Sequence, residues 1–188
     1  FSTIASSRVT NAVGSVTSIR TALSDFSGKY GTLPVIGGTN ISATNARIDD
    51  LLIKAQFLDA RFMPKIGLQA ATTVAGATWA QNAATGAWQA PAGGSDQTGF
   101  SRITTAISNV AVPVTGNNYR FDGVTNLPVN SIVASAVIKG VTANDAQQLS
   151  QRIDGDALSQ NNTTTADTRG KVVYALPVGG GKDVYIYL

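Results

Sequence analysis

One stretch constrains the fold of this chain more than any other, SRVTNAVGSVTSIRTALSDFSGKY from Ser7 to Tyr30. Val9, Ala12, Val13, Val16, Ile19, Leu23, Phe26 and Tyr30 recur at helical intervals and fall on one face. The other face carries Arg8, Asn11, Ser15, Ser18, Thr21 and Asp25, and no proline interrupts the run. Gly28 stands where a left-handed C-cap is wanted, Lys29 suits the negative helix end, and Pro34 lies just beyond. From Ser7 to Ser27 such a helix is roughly 31 Å long at about 1.5 Å per residue. Its apolar stripe is narrow and rich in β-branched side chains, so it does not stand alone in water and needs a sheet or other helices along most of its length.

Composition narrows what that helix can belong to. Only 13% of the residues are charged, about half the usual share of a soluble domain, and Ser, Thr, Asn, Gln, Gly and Ala take their place. Such a neutral, hydroxyl-rich surface suits the outside of cells. The net charge is +3, but the basic residues, from Arg8 to Lys182, never form a run, and the footprint of a nucleic-acid binder is missing. There is no cysteine, which excludes disulfides and thiolate chemistry. There is no histidine, which removes the usual general base and the commonest metal ligand. The expectation is a protein without catalytic function and without a cofactor. No run of eighteen apolar residues occurs, so nothing here spans a membrane. Met63 is the sole methionine, and we expect a chain processed or cut ahead of Phe1.

Along the chain, Gly31 to Asn40 reads as a turn-rich connection. Ser42 can cap a second helix whose stripe is Ile48, Leu51, Leu52, Ala55, Leu58 and Phe62, ended by Pro64. Asp49 and Asp50 read as its solvated first turn. A hairpin follows, with its turn at Asn82 to Gly86, and then a loop from Ala90 to Gly99. Phe100 to Val110 has helical spacing but the β-branched content of a strand, and Tyr119 to Phe121 is a short strand candidate. Ser131 to Val141 is the clearest buried strand. Thr142 caps a short helix with Asp145 three residues on, its stripe is Ala146, Leu149 and Ile153, and Asp154, Gly155 and Asp156 close it. A polar loop from Leu158 to Gly170 leads into a final hairpin with Val172, Tyr174, Leu176 and Val184, Ile186, Leu188 on one side. The expected fold is a single α+β domain over 1–188: an N-terminal helix at 1–30, a variable helix and β region at 31–130, and a sheet with its C-terminal hairpin at 131–188. The long helix is expected to lie on a mostly antiparallel sheet, with extra short helices, and Val16, Ile19, Leu23 and Phe26 to face that sheet. Residues 1–12 are expected to project from the head or to pack loosely.

Several motifs read structurally. VGGGKD at Val178 to Asp183 lacks phosphate-loop spacing and sits between two strands, so it is a hairpin turn. Asp154, Asp156 and Asp167 could offer oxygens to calcium, but the spacing is not that of an EF-hand, and a helix end with a solvated loop accounts for them. Asn40, Asn161 and Asn162 head glycosylation sequons, which matter only in a eukaryotic secreted protein. Trp79 and Trp88 are expected in the core or at the rim of a sheet; the alternative is a secreted adhesin that uses them and the polar loops to hold a glycan or a protein.

With these residues in view, the chain resembles type IV pilins and the related pseudopilins of type II secretion, without their hydrophobic stem. The opening helix, SIRTAL at Ser18 to Leu23 and then DFSGKYGTLP at Asp25 to Pro34, is similar to the exposed half of their N-terminal helix and its exit. VIKGVTANDAQQLSQRIDGD, Val137 to Asp156, and GKVVYALPVGGGKDVYIYL, Gly170 to Leu188, are similar to their strand, short helix and closing strands. Together these cover about a third of the chain. The resemblance implies that an apolar stem was removed before Phe1 and that function is assembly. A subunit would be anchored in the bacterial inner membrane until extracted. It would then pack, through the helix bearing Val9, Val13, Val16, Ile19, Leu23 and Phe26, with other copies or related pilins in a periplasmic or extracellular filament. The assembly machinery would be the further partner. Where many relatives close the C-terminal region with a disulfide, this chain has no cysteine, so the sheet or a cation must hold it.

Overall fold

A computed structural model describes residues 2–33, 47–67, 79–86, 88–89, 99–175 and 181–188. Among them the chain is α+β, with three helices, a four-stranded antiparallel sheet and a small two-stranded hairpin. The expected cap at Ser42, the loop from Ala90 to Gly99 and the tip of the last hairpin lie wholly or largely outside the described residues.

Helix α1 spans Ser2–Tyr30. Val9, Ala12, Val16, Ile19, Ala22, Leu23 and Phe26 are buried, and Val13 is partly buried against the same cluster. The helix outlasts Gly28, which stays helical and exposed. Its C-cap is instead at Gly31, whose N–H donates to Ser27 O at 2.8 Å and whose φ of 77° glycine adopts without strain. The expectation that residues 1–12 project or pack loosely fails from Val9 onward. Val9 and Ala12 are fully buried, because the stripe continues unbroken toward the N-terminus and Arg152 of the third helix reaches Thr10.

Helix α2 spans Ile48–Lys54 and is shorter than its apolar spacing suggests. Gln56 takes a φ of 67°, its N–H donates to Ile53 O at 3.0 Å, and the Phe57 N–H donates to Leu52 O at 2.9 Å. That pair is a Schellman ending with glutamine in the place glycine usually holds. Leu58 and Phe62 still pack on or within the core, but from an irregular segment.

The remaining elements are β1 (Ala80–Gln81), β2 (Trp88–Gln89), β3 (Arg102–Ile107), β4 (Ile132–Val141), α3 (Ala143–Leu158), β5 (Val172–Tyr174) and β6 (Lys182–Tyr187). The stretch with mixed signals after Phe100 is therefore a strand, with Ile103 and Thr105 turned inward. Tyr119–Phe121 forms no strand; its only pairing is an isolated bridge between Arg120 and Gly170. The larger sheet has the order β3-β4-β6-β5, with every neighbour antiparallel. Its register aligns Ile103, Ala136, Ile186 and Val172 in one row across four strands, all fully buried. This face shares a cluster with the stripe of α1, with Leu51 and Leu52 of α2, and with Ala146 and Leu149 of α3. The helices nearest α1 are α3 and α2.

The opposite face is also covered. Val133, Val173, Tyr185 and Tyr187 meet Tyr119 and Leu127 from the segment between β3 and β4. Tyr119 Oη lies 2.6 Å from Ser135 Oγ on β4. Asn118 holds the covering segment together by accepting the N–H of Tyr119 at 2.7 Å and of Leu127 at 2.8 Å. Burial on both faces explains why β4 reads as a continuous apolar run and not as an alternating one.

Candidate functional site

The feature that can do work outside the domain is the two-sidedness of α1. One side is core. The other exposes Ser7, Arg8, Thr10, Asn11, Gly14, Thr17, Ser18, Thr21, Ser24, Asp25, Gly28 and Lys29; between Arg8 and Lys29 the exposed residues are all small or short polar ones. Thr17, Ser18 and Thr21 turn their hydroxyls back to the carbonyls of Val13, Gly14 and Thr17 at 3.0–3.2 Å. This back-bonding spends the hydroxyl proton on the helix itself and leaves a low, smooth surface with acceptor oxygens outward. Beside it runs a groove of about 570 Å³, with Ser15, Ser18 and Thr21 on the helix wall and Phe57, Asp59 and Arg61 on the other.

The far wall of that groove is held by charge. Arg47 and Asp49, both buried, pair at 2.8 Å (Nη2 to Oδ2) and 3.2 Å (Nε to Oδ1). Asp49 also accepts the Phe62 N–H at 3.0 Å, and the Arg47 carbonyl accepts the Trp79 indole N–H at 2.9 Å. Arg61 Nε donates to Asp50 at 2.8 Å. Burial, then the neighbouring Asp49, raises the Asp50 carboxyl above its usual range against the pull of Arg47 and Arg61. The reading of Asp49 as solvated is thereby overturned: it ties α2 to the chain at Phe62.

The C-terminal region is closed by carboxylates. Asp154 accepts the N–H groups of Lys171 at 2.7 Å and Val172 at 3.1 Å. Asp167, buried, accepts from Ser150 Oγ at 2.5 Å and from the Arg169 N–H at 3.2 Å. Asp156 lies beyond a break in α3 at Gly155, is exposed and does not join them. Among the described residues no three acidic groups gather as a metal site. Burial, then the charge of Asp154, pushes the Asp167 carboxyl up to about 6, and burial raises Asp154 as well. Lys182, the last basic residue, has its amine 4.6 Å from the centre of the Tyr174 ring, and burial lowers its pKa.

Of the residues singled out in the sequence, Val9, Val16, Ile19, Leu23 and Phe26 lie together in the core with Val13 at its margin. They fasten the helix to its own domain and are not a free surface. Trp79 is buried, so it cannot stack on a glycan without unfolding its surroundings. Trp88 is partly buried, edge-on to Tyr30 with ring centres 6.3 Å apart. Lys182 and Asp183 of VGGGKD belong to β6, and residues 178–180 lie outside the described residues. The buried Arg47 was missed by sequence reading; an arginine two residues before an aspartate carries no signal of burial. No helix among the described residues is long and apolar enough to cross a membrane. No protein-family model, no curated protein and no solved structure matches this chain.

Proposed function

We propose that this chain is the head of a filament subunit of the type IV pilin or pseudopilin kind, and that it works by assembly. In this reading α1 is the lower half of a longer helix laid along the sheet, and its uncovered face is the surface that meets other copies. The observation that carries the reading is the division of α1. Its apolar stripe is buried from Val9 to Phe26, while the opposite side stays free of large side chains over the same length. Small residues let helix backbones approach closely, as filament packing requires. Two further facts fit. Arg20 Nη2 donates to the Tyr187 carbonyl of β6 at 3.1 Å, and α1 shares its cluster with Ala134, Ala136, Val184 and Ile186 of the sheet. The C-terminal strands are closed by Asp154 and Asp167 where a cysteine-bearing relative would use a disulfide.

The sequence coded directly ahead of Phe1 tests the proposal. A short basic leader followed by about twenty apolar residues with an early glutamate is the expected result, and the full product should form filaments visible by electron microscopy in a host with a pilus machine. An ordinary secretory signal or another globular domain at that place would overturn it. Of the tryptophans of the glycan-binding alternative, Trp79 is buried and Trp88 partly buried, while its polar loops keep exposed residues such as Asn161 and Asn162.

A further inference from the structure

We propose that two copies of this chain meet through unlike surfaces: the apolar lobe between β3 and β4 of one copy seats in the groove beside α1 of the next. The inference rests on the filament reading and deepens it by naming what enters that groove. An assembly that keeps growing needs two different patches on every copy, because a patch that pairs only with itself closes at a dimer. The α1 side supplies one of them. Its groove of about 570 Å³ has the size of a binding cleft, with the partly buried Phe57 on one wall and the small Ser18 and Thr21 on the other.

The lobe supplies the second patch. Of the nine large apolar side chains exposed among the described residues, seven fall between Ile107 and Ile132, so the exposed apolar surface is concentrated in one part of the chain. Val110, Val112 and Val129 are 76%, 57% and 51% exposed. Hydrogen bonds draw their segments together. Ile107 lies opposite Ile132 in the β3–β4 register. The Ser108 N–H donates to Ser131 O at 2.8 Å, and the Asn130 N–H to Ser108 O at 3.0 Å. Asn118 Nδ2 donates to the carbonyls of Asn109 and Leu127, which ties the turn bearing Val110 and Val112 to the segment leading into Val129. The lobe is therefore built before contact, and little ordering is needed to dock it.

Charge selects a second copy as the occupant. Between Ile107 and Ile132 the only charged residues are Arg120 and Asp122, one of each sign. Across the groove the Arg61 guanidinium is already held by Asp50 at 2.8 Å. A chain of net charge +3 can thus bring these two surfaces together without setting like charges against each other. An acidic partner or an anionic membrane surface would find no basic cluster on the lobe, which has neither lysine nor tryptophan. Lobe and groove share no residue, so each contact leaves one of either kind free at the two ends. The outward crest of α1 stays available to the helices of other neighbours.

The chain has no cysteine, so introduced thiols report the contact directly. Ala60→Cys stands on the far wall of the groove and Val112→Cys on the lobe, both at exposed positions where folding should be unaffected. The two variants of the isolated chain, mixed at about 1 mM and oxidised, should give the mixed disulfide dimer at least about tenfold faster than Val112→Cys mixed with Asn161→Cys, an exposed position after α3. Val110→Asp added to the lobe variant should return the rate to that control. With the isolated chain the outcome does not depend on what is coded ahead of Phe1, which tests the filament reading separately. A mixed dimer that forms no faster than the control would overturn this contact. So would a Val112→Cys homodimer that forms faster than the mixed one, because lobe against lobe is a two-fold pair that ends growth.

Discussion

Arg47 and Asp49 meet at 2.8 Å with almost no solvent on either side chain, two residues apart at the start of a helix of seven residues. A buried ion pair contributes little net stability when compared with apolar residues of the same size, but it is costly to break. Here the pair also places α2, because Asp49 receives the Phe62 N–H and the Arg47 carbonyl receives the Trp79 indole. We expect Asp49→Ala to cost about 3–5 kcal/mol, because it removes the carboxylate nearest the buried guanidinium and leaves Asp50, 4.0 Å from Nε, as the more distant one. Replacing both residues, as Arg47→Met with Asp49→Leu, should cost less than the sum of the two single changes. Urea denaturation of the four proteins closes that cycle; strict additivity would show that the pair is not coupled.

The same pair shows where sequence reading stops. The stripe of α1, the strand at β4, the Thr142 cap and the last hairpin are legible because periodicity and capping are local, and the Thr142 hydroxyl does accept the Asp145 N–H. The end of α2 is not legible: Leu58 and Phe62 keep helical spacing by reaching the core from an irregular segment, and Gln56 hides the stop that a glycine would have announced. Nor can spacing place Asp49 or Asp167 inside, since their partners at Phe62 and Ser150 are set by tertiary packing. The outer face of α1 was readable as polar, but that no element among the described residues covers it was not.

Gly170 and Gly14 should respond oppositely to alanine. Gly170 has a φ of 75°, and its missing Cβ makes room for Asp154. Gly170→Ala should cost at least about 1–2 kcal/mol from the left-handed backbone, with more from displacing the carboxylate. Gly14 lies mid-helix with open space where a Cβ would stand. Gly14→Ala should raise stability by roughly 0.5–1 kcal/mol. Thermal unfolding of the two variants checks both signs; a destabilised Gly14→Ala domain would mean that the outer face of α1 is not open.

Asp122 should titrate in the opposite sense from Asp167. Its Oδ1 accepts the N–H groups of Val124 at 2.8 Å and Thr125 at 2.6 Å, and these hydrogen bonds hold the carboxyl down at about 2. Its folded value lies below its unfolded one, so its contribution is present above pH 3.8 and is lost as pH falls toward 2. Carboxyl NMR between pH 1.5 and 5 should find its midpoint well below those of ordinary aspartates. A midpoint near 4 would show that the turn at Asp122 does not persist in solution.

The two sides of α1 should separate folding from assembly. Leu23 is buried with Ile19 and Phe26, so Leu23→Ala should cost about 2–5 kcal/mol and weaken the isolated domain itself. Ser18, on the exposed side, carries no core contact, and its hydroxyl merely returns to Gly14 O. Ser18→Trp should leave the isolated domain within about 0.5 kcal/mol of the parent, as exposed substitutions do. If the uncovered face packs against other copies, the same bulky ring must hold two helices apart, and filaments of the full-length product should be lost or markedly shortened. Electron microscopy of filaments, set beside urea unfolding of the heads, reads both effects at once. Normal filaments from Ser18→Trp would remove this face from the interface and, with it, the observation on which the proposed function rests.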